Sequence, residues 1–214
     1  MMDRRTANRF IATLVACASL SCVLPVSAQS AETAPAELKG RALVAALRSG
    51  GYILYFRHAA TDFGQNDDKM TGYEDCATQR NLVDRGRADA RAIGASLRAL
   101  AIPVGDVLAS PFCRTMETAQ LIFGRATASP AVRGGPAQPE SPDRYTALRD
   151  LLSTPLPRGS NLVIVSHGNP FRAVAGGNYL SEGEAAVIEP RGKQGFRIVA
   201  RVPLEEWRVL ESQK

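Results

Sequence analysis

Histidine, aromatic side chains, cysteine and long apolar runs are all in short supply in this chain of 214 residues, and each shortage removes a class of function. Aromatics amount to 6%, and no basic run is interleaved with them, so the stacking grooves of nucleic-acid binders are missing. The one extended apolar stretch, from about Phe10 to Leu24, is short for a bilayer span and is broken by polar residues. No internal repeat is visible. Only two histidines occur, His58 and His167, and both are taken up by a candidate site of their own, so Cys76 and Cys113 lack the partners for a zinc site.

The N-terminus has a different character. Arg4, Arg5 and Arg9 precede the apolar stretch, and Pro25-Val26-Ser27-Ala28 closes it with small residues. That order describes a secretory signal peptide over 1–28, cut after Ala28. A rival reading takes Leu14-Val15-Ala16-Cys17 as a lipobox, which leaves a lipoprotein anchored at Cys17. The expected location is the periplasm or the outside of the cell, without stable membrane insertion once the signal is removed. The leader holds three arginines and one aspartate, so of 26 basic and 21 acidic residues 23 and 20 remain, a net charge of +3. Such a mild excess does not point to nucleic acid.

Residues 29–36 read as a flexible tether, and 37–214, long enough to bury a sizeable core, as one domain. Cys76 and Cys113 survive cleavage. In an oxidising compartment they can pair; two unpaired thiols is the other reading.

Within the domain, helices are expected over Leu38–Arg48, from an N-cap at Asp84 to about Leu100, over Thr115–Phe123 and Tyr145–Leu152, and from Pro170 onward. Buried strands are expected at Tyr52–Phe56, Val107–Ala109 and Leu162–Val165, followed by Ala185–Ile188 and Phe196–Val202 joined by a tight turn. Residues 59–80 read as a long loop and 124–142 as irregular. Strands alternating with helices give an α/β layered fold.

Each histidine follows an apolar strand. Tyr52-Ile53-Leu54-Tyr55-Phe56 runs into Arg57-His58, and Leu162-Val163-Ile164-Val165 into Ser166-His167-Gly168-Asn169. A third junction, Ser110-Pro111-Phe112-Cys113-Arg114, adds another arginine. Open α/β sheets bind ligands outside the carboxyl ends of their strands. Two arginines and two histidines delivered there are side chains that a packed core does not select. They suit an anionic ligand.

Three of these segments together resemble the histidine phosphatase superfamily, the phosphoglycerate-mutase-like fold. Arg57-His58-Ala59 stands where that family has Arg-His-Gly. Ser110, Arg114, Thr118 and Ala119 match its second motif, Ser166-His167-Gly168 its third, and Leu82-x-x-x-Gly86 the segment that opens its first long helix. The resemblance implies a three-layer α/β/α sandwich with a mostly parallel central sheet. It also implies a phosphatase acting on a small anionic phosphorylated substrate, without metal or other cofactor. His58 would be the nucleophile that forms a phosphohistidine and His167 the second imidazole. Arg57 and Arg114, with Thr61, would bind the phosphate.

Two departures stand out. Ala59 replaces a glycine, which is tolerable where φ is negative. No general acid lies in a recognisable context; Glu184 is the leading candidate, with Asp62, Glu117, Glu140 and Asp143 behind it. Without an acid, phosphohistidine or acyl phosphate becomes a favoured substrate, with phosphosugars of the envelope as a further candidate class. The rival in another class is a catalytically silent phosphate- or phosphosugar-binding protein on the same fold.

Overall fold

A computed structural model describes residues 37–134 and 144–213. The signal peptide, the tether, the Cys17 alternative and the acid candidates Glu140 and Asp143 lie outside the described residues. Six strands form one sheet: β1 (Ile53–Arg57), β2 (Val104–Ala109), β3 (Thr127–Ala128), β4 (Asn161–Ser166), β5 (Ala185–Pro190) and β6 (Phe196–Val202). Their order is β3-β2-β4-β1-β5-β6. The first four in that order run parallel; β5 pairs antiparallel with β1, and β6 antiparallel with β5. The mostly parallel sheet expected from the resemblance is the one found.

The apolar runs are continuous because both faces of the sheet are covered. Along β1, Leu54 and Phe56 point into one core and Ile53 and Tyr55 into the other, following the two-residue period of a strand. The first core is closed by α1 (Gly40–Ser49), α2 (Asp84–Ala99), α3 (Cys113–Phe123) and α6 (Glu206–Ser212), through Leu47, Ile93, Ile122 and Trp207 among others. The second is closed by α4 (Thr146–Ser153) and α5 (Gly168–Ala175), through Leu148, Leu152 and Phe171. Three layers result.

Two local expectations change. Asp84 is the first helical residue of α2 rather than its N-cap; Val83 occupies the cap position without a side-chain bond. At that place Asp84 still meets the positive end of the helix and pairs with Arg87 at 3.1 Å. The edge strand β3 lies in the stretch read as irregular. It is two exposed residues long and has no apolar alternation to announce it.

Candidate active site

The parallel pairing of β1 with β4 places Arg57 opposite Ser166, so the residues that follow, His58 and His167, leave adjacent strands at the same edge. The His58 N–H donates to the Ser166 carbonyl at 3.0 Å, and the two rings lie edge to face with centroids 5.4 Å apart. Tyr55, buried in the sheet, donates its hydroxyl to the His167 carbonyl at 2.8 Å. On the far side of β4, Ser110 follows β2 and sets its Oγ 2.9 Å from His167 Nε2. Phe112 packs against the same imidazole, and Arg114 stands in the first turn of α3.

The tautomer of His58 follows from its partner. Its Nδ1 lies 2.9 Å from the Ala59 carbonyl, which can only accept, so Nδ1 carries the proton and Nε2 keeps its lone pair. Burial, and then the charges of Arg114, Arg57 and Arg80, pull its pKa down to about 3, against the opposing pull of the Ala59 carbonyl. His167 is also pushed well below its ordinary value, first by burial and then by His58 and the same arginines. Ala59 is accommodated because its φ is not positive; Ala101 is the one non-glycine with positive φ among the described residues.

Three guanidinium groups surround this pair. Arg57 is anchored through Nη1 to the Leu180 carbonyl at 2.8 Å. Arg114 is anchored through Nη1 to Asp67 at 2.9 Å and to the Arg80 carbonyl at 3.3 Å. The Nε atoms of Arg57, Arg80 and Arg114 are buried and have no hydrogen-bond partner among the described residues. Buried donors without a protein partner call for an explanation, and three on neighbouring cations fit an oxyanion held by charge-assisted bonds. All three arginines, both histidines, Gly168 and Asn169 line a cleft of about 1020 Å³, as do Arg133 and Arg144. Arg80, in the stretch 59–80 read as a long loop, stands in the site. The signal that it belonged there was its place directly before the Leu82 segment.

Not every expected residue arrives. Thr61 is not among the cleft-lining residues: its hydroxyl donates to Glu182 at 2.6 Å, which leaves it nothing to offer a phosphate. Glu184 is also absent from the cleft. Arg201 holds one of its carboxylate oxygens at 2.6 Å and the Ser181 N–H the other at 2.7 Å, so it ties β5 to β6 and is not placed to act as an acid. Glu117 is engaged by Arg87 at 2.7 Å, and Asp62 accepts from the Gly64 N–H. The carboxylates that do line the cleft are Asp67 and Asp68. Burial resists ionisation of Asp67, but Arg114 and Arg80 outweigh it and hold the carboxyl below its usual range.

The sequence profile of the histidine phosphatase superfamily (branch 1) matches residues 53–135, the stretch that holds Arg57, His58 and Arg114. Over that stretch the chain is similar to the histidine phosphatase superfamily. No curated protein matches it. Among solved structures, a putative phosphohistidine phosphatase SixA from Agrobacterium tumefaciens is 15% identical, with 72% of this chain and 98% of that one covered at a TM-score of 0.50. A protein histidine phosphatase SixA complexed with tungstate is 14% identical over 72% and 97%, at 0.48. A mycobacterial glucosyl-3-phosphoglycerate phosphatase is 15% identical over 69% and 96%, at 0.45. The first of these likenesses shows a shared fold.

The motif residues that touch nothing in the cleft have structural explanations. Thr118 Oγ accepts from the Ala59 N–H at 3.1 Å while donating to the Arg114 carbonyl at 2.6 Å, so one hydroxyl fixes the backbone beside His58 to the helix bearing Arg114. A side chain on Gly86 would place Cβ 2.2 Å from the Ala60 carbonyl oxygen. Gly134 has the same role against His167, whose Cδ2 a Cβ would meet at 2.2 Å. Cys76 and Cys113 are bonded to each other. Beside that bridge, buried Gln79 accepts from the Cys113 N–H at 3.0 Å, which ties the loop bearing Arg80 to the start of α3.

Proposed function

We propose that this chain is a phosphatase that hydrolyses phosphate monoesters through a covalent phosphohistidine on His58. The observation behind this reading is a neutral imidazole with Nε2 unprotonated beside three buried guanidinium Nε–H groups that lack partners. The arginines hold the phosphoryl oxygens, and the Nε2 lone pair displaces the leaving group from phosphorus in line. Water then displaces His58. Dividing hydrolysis into two displacements is covalent catalysis, and its barrier is lowered mainly by positioning and charge. His167 Nε2 lies 2.9 Å from the Ser110 hydroxyl; in the tautomer where that hydroxyl donates, the His167 proton is on Nδ1, from which it can donate to a phosphoryl oxygen as charge shifts in the transition state.

A radiolabelled monoester, quenched in mid-turnover, tests the reading. Wild type is expected to retain acid-labile, base-stable label. His58→Ala is expected to retain none and to turn over slower by about three orders of magnitude or more. The alternative, a phosphate-binding protein without turnover, draws on the ion-paired state of Asp67, which leaves the cleft without a ready proton donor. Phosphate binding by a wild type that never takes label would favour it.

Two finer points belong to the same proposal. The cleft, lined by Arg133 and Arg144 beyond the inner cations, has room for a substrate larger and more anionic than phosphate itself, as a phosphosugar or a phosphorylated protein side chain would be. Export follows from the leader, and a disulfide is the bond an oxidising compartment permits. Mass spectrometry of the secreted chain is expected to find Gln29 first; a lipid on Cys17 would replace that with the lipoprotein alternative.

A further inference from the structure

Phosphorylation of His58 creates a charge problem at the nucleophile. The ring enters the reaction neutral, with its proton on Nδ1. When the Nε2 lone pair forms the N–P bond and the P–O bond breaks, the electron pair leaves with the departing oxygen, which takes its proton from solvent. Nδ1 keeps its own proton. The ring is then a phosphorylated imidazolium, one positive charge richer than before. That charge appears on a residue 2% exposed, in the field of Arg57, Arg80 and Arg114. The phosphoryl oxygens satisfy the arginines from the cleft side. The Nδ1–H keeps its bond to the Ala59 carbonyl, which carries no full charge.

Behind the ring stands Glu182, which carries no signal in the sequence. Its Oε1 lies 3.8 Å from His58 Nδ1 and 3.7 Å from Arg57 Nη2. The Thr61 hydroxyl donates to the same oxygen at 2.6 Å, and the Thr61 N–H approaches Oε2 at 3.4 Å. Glu182 is 16% exposed, and among the described residues it is the one carboxylate within ion-pair distance of His58. It is not among the residues that line the cleft. Thr61, buried and hydrogen-bonded to it, fixes where the carboxylate points.

We propose that Glu182 is a positioning residue whose carboxylate, held by Thr61 behind Nδ1, stabilises the cationic phosphohistidine formed on His58. This rests on the phosphohistidine reading of the site. Thr61 then orients this counter-charge instead of binding phosphate. The attraction between a carboxylate and an imidazolium at this separation exists only after the N–P bond forms, so it favours the transition state and intermediate over the ground state.

Glu182→Gln keeps the shape and the capacity to accept from Thr61 while removing the charge. In rapid-quench experiments with a labelled monoester, formation of phosphoenzyme is expected to slow by about 10- to 100-fold, the range set by a lost ion pair at partial exposure. Binding of tungstate or inorganic phosphate to the same variant is expected to be unchanged or tighter, since a negative charge near the anion site is gone. A purely structural Glu182 would do the reverse: Arg57 would shift, oxyanion affinity would fall, and the phosphorylation step measured at saturation would hold. Thr61→Val, which frees the carboxylate to move, is expected to slow phosphorylation by a smaller factor with oxyanion affinity retained. Equal phosphorylation rates in wild type and Glu182→Gln overturn the proposal while leaving the phosphohistidine reading intact. A wild type that takes no label overturns both.

Discussion

Both imidazoles of this chain sit where a proton is unwelcome, and for His58 that keeps the Nε2 lone pair free over a wide pH range. An unfolded histidine takes its proton near pH 6.5, whereas in the fold His58 does so only at about 3 and His167 well below its ordinary value. Between about 3 and 6.5 the unfolded chain therefore binds more protons than the folded one, and folding stability rises with pH. This contribution is complete above about 6.5 and is lost as pH falls toward the folded values. With only two histidines present, the imidazole Cε1–H region of a proton NMR spectrum is simple to read. Neither signal is expected to titrate between pH 5 and 8, and replacing both histidines by glutamine should flatten the stability profile below about pH 6.5. A titration midpoint near 6.5 for either ring, the ordinary value, would mean that the cluster of cations around them does not form.

At the scale of elements, the loop between β1 and α2 and the start of α3 act as one piece. The 37-residue separation closed by Cys76 and Cys113 spans the Leu82 segment and all of α2 and β2, and it ends one residue before Arg114. Closing a loop of that length removes about 4 kcal/mol of unfolded-chain entropy in the chain-entropy account. Cys76→Ser with Cys113→Ser is expected to lower unfolding stability by about 2–4 kcal/mol in denaturant titrations. It should also weaken phosphate binding, because Gln79 and Arg80 are held against α3 by the same contacts. Unchanged oxyanion affinity in the double variant would show that Arg80 is positioned by something else. Much of this assembly was legible in advance. The apolar strands, the helix faces of α2 and α3, and the three motif junctions follow from periodicity and local composition. Arg80 was less legible, because nothing local separates an inward arginine from a solvated one. Glu182 was hidden altogether: it precedes an ordinary strand, and its meaning comes from His58 and Thr61, the latter 121 positions away in the chain. Glu184, the acid that sequence favours, lies just past the turn at Gly183, whose φ is +80°, and that turn sends its carboxylate to Arg201.

For the molecule as a whole, the decisive fact is that the carboxyl ends of β1, β4 and β2 lie side by side at the centre of the sheet, so residues from three distant segments meet at one cleft. That much followed from the motifs, since their order fits a sheet with central parallel strands. What could not be read was the balance of charge the cleft would hold. Five arginines and two aspartates line it, and Asp67, the aspartate paired with the inner cations, is ionised by them. Such a site suits the phosphoryl group of the proposed substrate but has no described carboxyl ready to protonate what leaves. The rate of phosphorylation is therefore expected to depend steeply on the leaving group. Acyl phosphates, phosphoramidates and aryl phosphates should phosphorylate His58 quickly, and simple alkyl phosphates slowly. A series of aryl phosphates, followed by burst kinetics, gives the dependence on leaving-group pKa directly, and a slope that steepens with poor leaving groups is the expected result. A flat series would mean that a proton is delivered after all. The first place to look for its source would then be Asp67, once a bound phosphoryl group has taken Arg114 from it and let its pKa rise.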